Sequence, residues 1–148
     1  MPVGLVTKSI GFAVVLAGMG LAVWQAEAEQ NGVTFPEINT LTHYTTVERG
    51  VTVEHMLTTP EALAAIKAGT PVPTGTHVVL QDFQSGDLYR YLIAQKLGDG
   101  AADWGYQWFW PDGTIKADER TAQCYACHRS REANQFMFTH SGAVGYGE

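Results

Sequence analysis

Both cysteines of this 148-residue chain stand inside five positions, Cys124-Tyr125-Ala126-Cys127-His128. Two thiols separated by two residues close too short a loop to staple a fold, which excludes a disulfide framework. A redox C-x-x-C would open a helix after a strand in a βαβ setting, whereas here a histidine follows at once. C-x-x-C-H is the spacing at which two thiols add to the two vinyl groups of one haem while the adjacent imidazole reaches its iron. A structural zinc site wants four protein ligands, and no second Cys or Cys-His pair lies near. The expected cofactor is therefore one covalent haem c, anchored by Cys124 and Cys127, with His128 as the proximal ligand.

The motif lies close to the end of the chain, whereas ordinary soluble electron-transfer cytochromes carry it near the start with an axial Met well downstream. Met137 does follow, but between Phe136 and Phe138 it reads as a side chain filling space at the haem edge. Met56, His55, His43, His77 and His140 are further candidates for a sixth ligand. Each reads more readily as a core or surface residue, so the sixth ligand stays open.

Charge and patterning place the chain. Formal net charge is −6 and no basic run exists, so a nucleic-acid partner is not expected. Mild acidity is compatible with docking to a redox partner protein. Lys8 is the only charged side chain before Glu27, Ser9 to Trp24 is an uncharged and mostly apolar run, and Ala26-Glu27-Ala28 offers a small-x-small site. Residues 1–28 thus read as a signal peptide, with an uncleaved N-terminal membrane anchor as the alternative. Either way residues 29–148, the monohaem c-type cytochrome domain, are expected in the periplasm, free or tethered.

Within that part, 29–36 suggests a loose leader. Leu41 to Leu57 is rich in Thr and Val and is broken by Gly50, which predicts two strands about a turn. Thr59-Pro60-Glu61 predicts a helix start, continued to Ala68 and stopped by Gly69. His77 to Phe83 predicts a strand, followed by the turn Gln84-Ser85-Gly86-Asp87; Leu88 to Leu97 fits a strand or a helix, and its hairpin position and aromatic pair favour the strand. Trp104, Tyr106, Trp108 and Trp110 alternate with Gly105, Gln107 and Phe109, predicting a strand with one aromatic face that reads as core. Asp118 is the expected cap of a helix from Glu119 to about Arg131 that carries the haem motif. The expected class is α+β: mainly antiparallel β-sheet, a short mid-chain helix and a C-terminal haem-bearing helix.

These segments resemble the cytochrome P-460 and cytochrome c-prime-beta family. The resemblance runs from about Tyr44 to Thr139 and is carried by TPVPTGTHVVLQDF, WGYQWFWPDGT and above all CYACHRSREANQFMFT. It implies a β-rich, commonly dimeric haem protein with an open or weakly occupied distal side. Carried over to this chain, it makes Cys124 and Cys127 the thioether anchors, His128 the proximal ligand, and Phe136 and Phe138 haem-packing residues. The enzymatic branch carries a Lys cross-linked to the porphyrin on the strand after the Pro-Gly turn; here the matching position falls near Leu80, and Lys96 lies on the next segment. The expected function is electron transfer, binding of small diatomic gases (NO, CO) at the iron, or both. The alternatives are a hydroxylamine-oxidising oxidoreductase and a membrane-tethered cytochrome subunit of a respiratory complex.

Overall fold

Turn chemistry lays the chain out as a meander, seen in a computed structural model that describes residues 31–148. Five strands, β1 (Thr42–Arg49), β2 (Thr52–Thr58), β3 (His77–Gln84), β4 (Asp87–Lys96) and β5 (Trp104–Phe109), each pair antiparallel with the next, so sheet order follows chain order. Gly50 at φ +62° and the Ser85-Gly86 pair at φ +52° and +95° supply the left-handed backbone that tight hairpins need. The expected α+β class, mainly antiparallel β, is the class observed. The signal or anchor expected at 1–28 lies outside the described residues. Among the described residues no helix is long and apolar enough to cross a membrane.

Helix α1 (Pro60–Lys67) links β2 to β3 and ends where its sequence says it should. The Thr59 hydroxyl accepts from the Ala62 N–H at 3.2 Å, Pro60 occupies the first turn, and Gly69 turns left-handed after the last. Its buried side chains, Ala62, Leu63 and Ile66, join Phe136, Met137 and Ala143 in one core.

Strand alternation divides the apolar side chains between two faces. Met56, Val78, Leu80, Ala94, Trp104 and Tyr106 belong to the core beneath the C-terminal segments. Leu57, Val79, Tyr91, Ile93 and Phe109 belong to a second core on the opposite face, covered by Val33, Phe35, Ile38 and Leu41. For residues 31–36 the expected loose leader is therefore corrected. The Asn31 amide donates to the Tyr106 carbonyl at 2.7 Å, the Thr34 N–H donates to Gln95 Oε1 at 2.8 Å, and Val33 is buried. Phe35 meets Tyr91 and Phe109 edge-on, each at 5.2 Å. Strand β5 is consequently buried on both faces. Gly105 lies under the covering segment, where a Cβ would stand 2.7 Å from Val33 and Leu97 methyl carbons.

The C-terminal part departs from expectation in three places. Helix α2 (Ala122–His128) starts after Thr121 and continues as a 3-10 turn over Arg129–Asn134. Asp118 does not cap it, because both Asp118 carboxylate oxygens lie 2.7 Å from Nζ of the buried Lys116. A buried ammonium needs a counter-charge more than a helix needs a cap, and Asp118 serves the first. A third helix, α3 (His140–Val144), was not expected; it packs on α1 and β1. Just before it, the Tyr44 and Thr139 hydroxyls are hydrogen-bonded at 2.6 Å, tying β1 to the end of the chain.

Candidate functional site

Helical spacing puts Cys124, Cys127 and His128 on one side of α2, because residues three and four apart share a face. Cys124 is half-buried, Cys127 exposed, and both thiols are free. Burial pushes the Cys124 thiol up from its ordinary range. The helix docks on β5, so a shallow cleft forms between Trp108, Cys124, Cys127, His128 and Phe138.

The histidine is held from three sides. Its ring lies 4.7 Å from the Tyr106 ring and meets the Phe138 ring edge-on at 4.9 Å. Its Nδ1 is 2.5 Å from the Phe136 carbonyl oxygen. A carbonyl only accepts, so Nδ1 carries the proton and Nε2 keeps its lone pair. Burial pulls the His128 pKa below its usual value, which favours this neutral form. A neutral imidazole with a fixed tautomer and a free Nε2 is the form that ligates iron.

Next to that imidazole, the sheet face carrying Met56, Val78, Leu80, Leu92, Ala94 and Tyr106 bounds a cavity of about 580 Å³. Phe136, Met137 and Phe138 close it from the C-terminal side. Its volume and apolar lining suit a cofactor-sized guest. The Tyr106 hydroxyl is buried there without a hydrogen-bond partner, which is unusual for a phenol and fits a site shaped around an absent group. Burial also raises its pKa, so the proton stays on the oxygen as a donor. Two thiols, a fixed imidazole and an apolar cavity beside an orphaned donor together fit a haem.

The structure brings His128, Phe136 and Phe138 to the cavity wall, with the two cysteines at its flank. Among the sixth-ligand candidates, Met56 and Met137 line the cavity. The four histidines do not: His43 and His55 share the Thr46 hydroxyl, His77 meets Thr34, and His140 lines a separate pocket. Leu80, where the resemblance looks for lysine, faces the cavity, while Lys96 donates to the Gly98 carbonyl at 2.8 Å and to that of Gly100. The aromatic strand, read as plain core, does more than fill space, since Trp104 and Tyr106 line the cavity and Trp108 the cleft. Sequence reasoning also missed Arg49 and Glu54, an ion pair at the β1–β2 side of the cavity. Their positions flanking the Gly50 turn were visible, but which strand face points inward was not.

A model of the cytochrome P460 family matches residues 33–139, from the buried start of the covering segment to the Thr139 tie. No curated protein matches the chain.

Proposed function

The chain belongs to the cytochrome P460 family and is a haem-binding cytochrome; from this premise we propose a periplasmic monohaem c-type protein that binds a small diatomic gas, NO or CO, and exchanges electrons with a redox partner protein. In this reading Cys124 and Cys127 hold the haem as thioethers and His128 is the proximal ligand. A haem held there would supply a one-electron couple and an iron able to bind a small ligand.

The residues around it do the rest. The Phe136 carbonyl orients the His128 ring, and Tyr106 and Phe138 stop that ring from turning. Val78, Leu80, Leu92 and Ala94 offer no polar group to hold water or an anion, so this wall suits an uncharged diatomic, while the charged Arg49–Glu54 pair stands at the β1–β2 side. This apolar sheet face, with Leu80 on it, is the observation that carries the proposal. The test is the optical spectrum of protein matured in a host that attaches c-type haem, with and without carbon monoxide. A high-spin spectrum that shifts on adding the gas supports the reading; a low-spin spectrum indifferent to it contradicts gas binding.

Oxidation of hydroxylamine is the second reading, and one observation favours it. Glu54 lines the cavity with its side chain only 15% exposed, so a carboxylate that could carry a proton stands at the site. A strongly red-shifted reduced Soret band, with turnover of hydroxylamine lost in Glu54→Gln, would establish it. Absence of turnover in the wild-type protein would exclude it.

A further inference from the structure

Two consecutive residues after the 3-10 turn, Gln135 at φ +53° and Phe136 at φ +61°, lie in the left-handed region although neither is glycine. Such backbone persists only where the surroundings over-determine it, and it gathers at functional sites. Here it reverses the chain so that the Phe136 side chain enters the core, 2% exposed, while its carbonyl turns back onto His128 Nδ1.

The Gln135 carboxamide fastens this reversal. Its Oε1 accepts the Val72 N–H at 2.8 Å and its Nε2 donates to the Thr70 carbonyl at 3.1 Å. The segment it grips is stiff. Pro71 and Pro73 fix their own φ and lack N–H groups, which leaves Val72 as the one donor of the 71–73 stretch. Val72 is itself buried, and the Thr70 N–H is tied to the Ala65 carbonyl at 2.9 Å. Backbone bonds from the Gln135 and Phe136 N–H groups to the Glu132 and Arg131 carbonyls close the turn, and the Gln135 side chain ties it to the stiff 70–72 stretch, so that the next carbonyl holds the imidazole.

We propose that Gln135 is a positioning residue that sets the strength of the hydrogen bond on His128 Nδ1, and through it the electron donation of that imidazole to the haem iron; this rests on His128 being the proximal ligand. A hydrogen bond from Nδ1 to a well-placed acceptor raises the basicity of the ligating nitrogen. Loosening the carbonyl weakens that donation, which otherwise favours the ferric state. Freeing Gln135 therefore lowers the iron–histidine stretching frequency and raises the reduction potential.

The test compares haem-loaded wild type with Gln135→Ala, Gln135→Asn and Gln135→Glu. Asn tolerates left-handed backbone better than other non-glycine residues, so Gln135→Asn keeps the turn while falling one methylene short of Val72 and Thr70. The expected result is a downshifted iron–histidine stretch in the ferrous protein and an upward shift in potential for Ala and Asn. Gln135→Glu keeps an acceptor for Val72 and should fall between them and the wild type. If Ala and Asn lower the unfolding midpoint yet leave frequency and potential at wild-type values, Gln135 is a tether only and the proposal is overturned. A wild-type protein that holds no haem at His128 overturns the reading beneath it as well, and is recognised separately because the wild type itself then lacks the iron–histidine signal.

Discussion

Removing the Arg90 guanidinium should be among the costliest single changes outside the cavity. Arg90 Nε lies 2.9 Å from Asp82 Oδ2 and Nη1 lies 2.5 Å from Glu119, just ahead of α2, while the guanidinium stacks 3.9 Å over the Trp108 ring. Asp82 is 3% exposed and its other oxygen already has no partner, so without Arg90 it keeps only the Gln84 amide at 3.3 Å. Stripping a buried carboxylate of its cation costs about 3–5 kcal/mol, far above the ~0–1 kcal/mol of a solvated pair. With a urea slope of about 1–3 kcal/mol/M, Arg90→Ala should lower the unfolding midpoint by on the order of 2 M with the slope unchanged. Adding Asp82→Asn to that variant should recover much of the loss, because the buried group no longer carries charge. A loss below about 1 kcal/mol for Arg90→Ala, or no recovery from the second change, would refute the buried-charge argument.

Gly105→Ala should push Val33 and Leu97 off their seats, destabilising the protein by roughly 1–3 kcal/mol and speeding amide exchange in residues 31–35, read by urea unfolding and hydrogen exchange. Thr59→Ala removes the side-chain cap of α1 and should cost about 1 kcal/mol in the same unfolding assay. Burial lowers the His77 pKa below its ordinary 6.5, so the unfolded chain binds the proton more readily than the folded one. Its contribution is full above that value and is lost as pH falls through the folded pKa. Stability measured from pH 8 downward should therefore drop less steeply in His77→Gln than in the wild type.

The sheet was legible because each strand carries its own β-branched or aromatic run and each hairpin its own glycine. Helix α1 was legible because Thr59, Pro60 and Gly69 state its limits locally. What escaped depends on partners distant in sequence. Residues 31–36 have no periodicity, and they dock through single groups such as Asn31 on Tyr106, 75 positions away. Asp118 looked like a cap until Lys116, buried by the tertiary fold, claimed its carboxylate. Gln135 and Phe136 carry no glycine to announce a left-handed turn. At the site, Cys124, Cys127 and His128 were readable as chemistry from spacing alone. The cavity was not, since its wall takes alternate residues from separate strands, and only the register shows that Met56, Leu80 and Leu92 lie side by side.

Two thioether bonds to a porphyrin are the claim on which the proposed function stands. Intact mass under denaturing conditions, recorded for the wild type and for Cys124→Ala/Cys127→Ala matured in the same host, measures them directly. The wild type should stay heavier than its polypeptide by one haem, and the double variant should match its polypeptide mass. A wild-type mass equal to the bare polypeptide, or a variant that keeps the added haem, would contradict it.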